Sequence, residues 1–264
     1  MLVRDVCNYL DKRFPKETAE EFDGPRIGLI IGSENIKVEN ILLTLDLNYE
    51  VVNKAIKKGC NMIIAHHPYL FEPLYKILFD SEKGKVIELM FKHQISLYVM
   101  HTNLDVGENG VNDCLARKLE LENVVAINGY EQSSYLRVGE VDMTLKKLAN
   151  KVKDKFDLTG VRVLGDLNQD IHKVGIVGGS GGRVFDILKA KQAGCDCYIT
   201  GEIHLNCSQF AEEVGLCLIE VNHGVEKFVF ESLEEELEEN LKSEFNFKNK
   251  IYTNLCETDK MITI

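Results

Sequence analysis

The apolar positions of this chain fall into two alternating rhythms. Val3, Cys7 and Leu10 recur at helical spacing and predict a first helix. Short apolar runs then read as strands at Ile27–Ile31, Asn40–Asp46, Asn61–Ala65 and Ile95–Met100. Between them Val51, Val52, Ala55 and Ile56 make a helix face that Gly59 ends, and Ser81 precedes a second face of Val86, Ile87, Met90 and Phe91. A further helix is predicted over Gly110–Leu121. The rhythm resets in a polar stretch at 122–131 and resumes with a strand at Tyr135–Val141 and a helix face of Leu145, Leu148, Val152 and Phe156. Strands at Val161–Leu164, Lys173–Val177, Cys197–Ile199 and Cys217–Val221 follow, with a helix near 205–213. The acidic run Leu233–Glu239 belongs to a final long helix, and Lys250–Asn254 is a last short strand. Strands alternating with helices predict an α/β protein with mainly parallel or mixed sheets.

The pattern also echoes itself. Lys58-Gly59-Cys60 and the strand after it align with Ala193-Gly194-Cys195 and its strand, 135 positions on. This suggests an internal duplication, although any two β-α-β units look alike. In the second copy the pair His66-His67 has become Gly201-Glu202, so chemistry is expected to concentrate on the first.

Composition narrows the function classes. The chain has 264 residues, with 31 Lys and Arg against 42 Asp and Glu, a formal charge of −11. That weighs against a nucleic-acid or anionic-membrane binder driven by bulk charge. The apolar runs are strand-sized, and neither a membrane span nor a signal-peptide core is read. Eight cysteines fall mostly inside apolar stretches, without the paired spacing of a zinc finger. They read as reduced core residues of a cytoplasmic protein.

The chemistry sits where strands stop. Of seven histidines, His66 and His67 close one apolar run and His101 another. Asp105 lies four residues beyond His101, and His223 with Glu226 follows the strand at Cys217–Val221. Strand ends of α/β sheets are where ligands bind. Four imidazoles and two carboxylates exceed the three protein ligands of a single catalytic zinc. They suit two divalent ions, and mixed N/O ligation fits Zn, Fe, Mn, Co or Ni without choosing among them. Asp46 and Glu202 read equally as supporting or substrate-facing groups and as turn residues. The run Gly178–Gly182 before a helix reads as a phosphate cradle, with Arg183 aiding an anion, or as a tight structural turn. Lys147, Lys151 and Lys155 form a basic stripe that reads as a solvated face.

Taken in order, Glu21-Phe22-Asp23-Gly24, Leu45-Asp46, Ala65-His66-His67-Pro68, His101-Thr102-Asn103-Leu104-Asp105, Gly178-Gly179-Ser180-Gly181, Thr200-Gly201-Glu202 and His223-x-x-Glu226 resemble the NIF-three-like family, also labelled GTP cyclohydrolase I type 2 homologues. The resemblance implies two α/β domains, the second inserted in the first, drawn here at 1–125 with 220–264 and at 126–219. It implies two metal ions held by His66, His67, His101, Asp105, His223 and Glu226, with Glu202 and Glu226 as catalytic groups. It also implies a homohexamer and a small-molecule substrate such as a nucleotide, with opening of the GTP purine ring at C8 and release of formate. The alternative is a non-catalytic metal-binding scaffold, metal-delivery protein or partner-binding oligomer. Departures from the family pattern fall at His204-Leu205-Asn206, Glu220-Val221-Asn222 and Thr258-Asp259-Lys260, none of them a proposed ligand.

Overall fold

The computed structural model describes residues 1–127 and 134–256; the Thr258-Asp259-Lys260 departure and part of the 122–131 stretch lie outside the described residues. The chain divides into two units, the first made of Met1–Gly107 with the segment that starts at Val229, the second built on Glu108–Phe228.

The first unit runs α1 (Val3–Arg13), β1 (Gly28–Ile31), β2 (Asn40–Thr44), α2 (Tyr49–Lys57), β3 (Cys60–Ala65), α3 (Glu82–Lys92), β4 (Ser96–Val99) and the short α4 (Thr102–Val106). The second contains α5 (Val111–Lys118), β5 (Glu122–Ala126), β6 (Arg137–Thr144), α6 (Leu145–Lys155), β7 (Arg162–Leu164), β8 (Asp170–Ile176), α7 (Val184–Gln192), β9 (Cys197–Gly201), α8 (Leu205–Glu213) and β10 (Cys217–Val221). The chain returns to the first unit as α9 (Val229–Phe245) and β11 (Ile251–Asn254).

The first sheet has the order β1-β4-β3-β2-β11. β4, β3, β2 and β11 are parallel, while β1 runs antiparallel to β4. Ile41, Leu42, Ile63, Ile64, Leu97 and Val99 are fully buried, which accounts for the near-continuous apolar runs of these strands. Val52, Ala55 and Met90 cover one face from α2 and α3, and α9 packs on β2 and β11. The helix starts follow local chemistry: the Asn48 side chain accepts from the Val51 amide at 2.9 Å, and Ser81 accepts from Gly84 at 3.0 Å.

The second sheet has the order β5-β6-β8-β9-β10-β7. Its centre, β8-β9-β10, is parallel, and β6 and β7 flank it antiparallel. Both sheets are thus mixed: the first has one antiparallel edge, β1, and the second is antiparallel on both sides of its parallel centre.

Two features differ from the sequence reading. The polar stretch after residue 121 contains β5, a strand exposed at all five positions and paired, among the described residues, only to β6. An outer strand needs no apolar face to join a ladder, so its sequence does not announce it. The division into units also falls elsewhere than at 125/126 and 219/220. α5 packs on β6 and on the turn at His223–Phe228, and β10 pairs with β9 and β7, so Glu108–Phe228 coheres as one body. His223 and Glu226 consequently belong to the second unit, not to the one that carries His66.

Candidate metal centre

In the first unit, strand register builds the site. Thr44 is level with Ala65, and Ala65 with Val99, so three parallel strands stop together. The backbone continues the ladder one step: His66 N donates to Thr44 O at 3.2 Å, His67 N to Leu45 O at 2.9 Å and Met100 N to Ala65 O at 3.0 Å. Asp46, His66, His67 and His101 are thereby fixed just past the C-terminal edge of the sheet. Pro68 has no amide hydrogen with which to prolong the ladder.

Each imidazole has an acceptor at Nδ1. His66 is fully buried, and its Nδ1 lies 2.9 Å from the Met100 carbonyl. His67 Nδ1 lies 2.7 Å from Asp46 Oδ1. His101 Nδ1 lies 2.8 and 3.0 Å from the two oxygens of Asp23. Carbonyl and carboxylate oxygens only accept, so in the neutral rings Nδ1 carries the proton and Nε2 carries the lone pair. The rings cluster with centroids 5.0, 5.3 and 5.9 Å apart. One ligand nitrogen from each lies within 4.8 Å of the others. Asp105 joins from α4, whose first turn begins at His101: Leu104 N and Asp105 N both donate to His101 O, at 2.8 and 3.2 Å. Its Oδ1 stands 3.4 Å from His66 Nε2. Three imidazole nitrogens and a carboxylate oxygen, with ring orientations set from behind, form a donor set suited to a borderline divalent ion.

Asp23 has no role in the sequence reading beyond its place in a loop motif. Burial would raise its carboxyl, but hydrogen bonds from His101 and Thr102 outweigh that and hold it below the ordinary aspartate range. Its pairing with His101 spans 78 residues, a distance no local pattern reveals. Asp46 holds His67 from behind.

In the second unit the same logic yields different residues. Val174, Cys197 and Cys217 are level, as are Ile176, Ile199 and Ile219. Gly178-Gly179, Glu202 and His223 therefore gather beyond the edge of β8, β9 and β10. His223 opens a 3₁₀ turn at His223–Phe228, in which residues three apart eclipse. His223 Nε2 lies 3.1 Å from Glu226 Oε2, and Nδ1 lies 2.8 Å from Glu202 Oε1. Glu226 is buried at 4% exposure. Burial would raise the Glu202 carboxyl, but bonds from Ser180 and His223 prevail and lower it. The sequence spacing brings His223 and Glu226 together as foreseen, while Glu202 meets His223 through the sheet.

The glycine run has a packing reason. A Cβ on Gly179, which sits at φ +60°, would stand 2.4 Å from Glu226 Oε1 and 3.1 Å from His223 Nε2. One on Gly181 would meet the hydroxyls of Thr200 and Tyr198 at 2.6 and 2.8 Å. The turn admits the glutamate carboxylate closely, and the structural reading of Gly178–Gly182 accounts for both glycines. Arg183 pairs with Asp186 at 2.7 Å, inside its own helix start. His93, His172 and His204 are exposed and stand outside both groups.

Among the described residues, no helix is long and apolar enough to cross a membrane. The family model Duf34/NIF3 (NGG1p interacting factor 3) matches residues 1–257. A Clostridium acetobutylicum protein named GTP cyclohydrolase 1 type 2 homolog is 35% identical over 236 residues, 84% of this chain and 83% of its own. A solved Staphylococcus aureus hypothetical protein is 32% identical, with a TM-score of 0.91 over 100% of this chain and 99% of that one. A Bacillus cereus protein described as related to NIF3 reaches the same TM-score at 25% identity, again over 100% and 99% of the two chains. With the ordered motifs, the fold and the match over almost its whole length in agreement, the chain belongs to the Duf34/NIF3 family.

Proposed function

We propose that this protein is a dinuclear, divalent-metal-dependent hydrolase acting on a nucleotide or related small molecule, with purine ring opening of GTP as its leading candidate reaction. The supporting observation is the cluster of His66, His67 and His101, each ring held at Nδ1 by an acceptor and each offering a ligand nitrogen within 4.8 Å of the others. Histidines placed only for packing have no need of three independent tautomer locks. In this reading His66, His67, His101, Asp105, His223 and Glu226 hold the metal ions. Bound there, divalent ions supply acidified water and polarise a substrate oxygen. Glu226 and Glu202 are the groups placed to take and return protons, with Glu202 fixed by Ser180 and His223. The name carried by the Clostridium acetobutylicum relative supports the nucleotide reading. We further propose a cytoplasmic homohexamer. Eight free cysteines, seven of them buried, support a reducing compartment.

The test couples elemental analysis with turnover. Purified protein is expected to carry about two divalent ions per chain and to release formate from GTP in a chelator-sensitive way. Light scattering should give a mass well above that of a 29.9 kDa monomer. Two firmly bound ions without turnover on any nucleotide would replace the hydrolase by the non-catalytic scaffold or delivery reading. Absence of bound metal after loading would overturn both.

A further inference from the structure

We infer that Asp23 is a positioning residue for metal capture: it fixes His101 in the tautomer and orientation that turn Nε2 toward the ion. This rests on the metal-binding reading above. Imidazole can ligate through either nitrogen, and the choice follows from which one bears the proton. Both Asp23 oxygens face His101 Nδ1, at 2.8 and 3.0 Å. The opposite tautomer would set a nitrogen lone pair against a carboxylate with no water to intervene, because Asp23 is 0% exposed.

The carboxylate is itself anchored. Thr102 donates to Asp23 Oδ2 through its amide, at 3.2 Å, and through its hydroxyl. That hydroxyl accepts in turn from the Glu20 amide at 2.9 Å. A 3₁₀ turn, Glu21–Asp23, presents Asp23, and Asp23 N donates to Glu20 O at 2.9 Å. The anchor is therefore bonded to the residue next to the histidine it orients, so ring and carboxylate form one body.

The other two locks in this unit differ. His66 is held by a backbone carbonyl, which no substitution removes. His67 is held by Asp46, whose side chain is 34% exposed and open to competition from water. Asp23 is the lock that is both secluded and removable. Loss of a supporting partner of this kind costs about 10–100-fold in metal affinity.

The experiment uses the full-length protein and zinc as probe. In metal-free wild type, long-range ¹H–¹⁵N spectra of histidine-labelled protein should show His101 protonated at Nδ1; protonation at Nε2 overturns the inference. In a competition titration against a chromophoric chelator, Asp23→Asn should bind zinc about 10–100-fold more weakly, with a mixed His101 tautomer and a native far-UV spectrum. Asp46→Asn should lose less. If wild type binds zinc and Asp23→Asn matches it, the inference falls while the metal reading stands. If wild type binds no zinc, the metal reading falls and takes this one with it. Should Asp23→Asn fail to fold, Thr102→Val, which keeps the carboxylate but removes one anchor, decides: weaker zinc binding supports the inference and unchanged binding overturns it.

Discussion

The two units solve one architectural problem with different chemistry. Each aligns three parallel strands in register, β4-β3-β2 in one and β8-β9-β10 in the other. Each places polar residues just beyond that line. In the first unit the line carries three imidazoles backed by Met100 O, Asp46 and Asp23. In the second it carries glycines, Glu202 and a single imidazole tied to two glutamates. The fold supplies a row of strand ends; side chains decide whether that row is rich in nitrogen or in anionic oxygen. Nitrogen donors tolerate many divalent ions, while carboxylates add the charge that neutralises them.

The comparison breaks most sharply at the ligands. His66→Ala removes a buried nitrogen donor and should weaken zinc binding by more than about 100-fold, beyond the loss expected for a supporting residue. Glu226→Gln in the second unit keeps the side-chain volume and removes the charge of one proposed ligand, and on the proposed function should reduce the ions retained per chain after desalting. Elemental analysis and competition titration measure both, with far-UV spectra checking the fold. Equal, unchanged metal content in the two variants would mean that neither row of strand ends holds a metal.

A second test separates close approach from mere backbone strain. Gly179→Ala brings a methyl to 2.4 Å from Glu226 Oε1 at φ +60°, so the buried carboxylate must move. Overpacking of this kind costs about 1–3 kcal/mol, and the variant should lose metal as well as stability. Urea unfolding with zinc titration checks it. Retained metal affinity would show that Glu226 can shift without consequence for binding.

How far the sequence showed all this depends on the range over which each signal acts. Strand runs, helix faces and the cap at Ser81 are local, and the structure has them within a few residues of where the pattern puts them. His66, His67 and His101 were legible because an apolar run ending in histidine is a local pattern too. Asp23 was not, since its partner lies 78 residues away and a loop aspartate has many ordinary explanations. The unit that holds His223 is set by strand pairing, which periodicity does not encode. The glycine run was legible as special, but the reason for Gly179 lay in Glu226, 47 positions beyond it, and that for Gly181 in Thr200 and Tyr198.

The echo between the units allows a matched pair of smaller effects. Gly59 and Gly194 each follow a helix at φ +65° and +80°, and each precedes a buried cysteine. Gly215 has the same conformation after α8, at φ +67°, so the motif reflects how a helix hands over to a strand as much as any duplication. A Cβ would meet nothing nearer than 3.4 Å at Gly59 and 3.7 Å at Gly194. Alanine at either position should therefore cost only the left-handed backbone term, about 1 kcal/mol, and equally in the two units. Urea midpoints of the two variants test this. A markedly larger loss at one would show that the two turns carry different packing loads.

The smallest effect lies on the surface of the second unit. Lys151 and Lys155, one turn apart on α6, both reach Glu120, whose side chain is 61% exposed. The basic stripe is thus partly neutralised by its own unit, and only part of it faces solvent as free charge. Hydrogen bonds and attraction from Lys155 and Lys151 lower the Glu120 carboxyl from its ordinary value of 4.5. A carboxyl lowered in the folded state adds stability that is complete above the unfolded value and fades as pH falls through the lowered folded one. Wild type should therefore exceed Glu120→Gln in stability at neutral pH by a small margin that closes below pH 4.5. Added salt should narrow the same margin at pH 7, because exposed charges are screened over about 10 Å at 0.1 M. Urea midpoints at two pH values and two salt concentrations give all four comparisons. A margin that persists in acid and in salt would mean that Glu120 acts through packing of its stem and not through its charge.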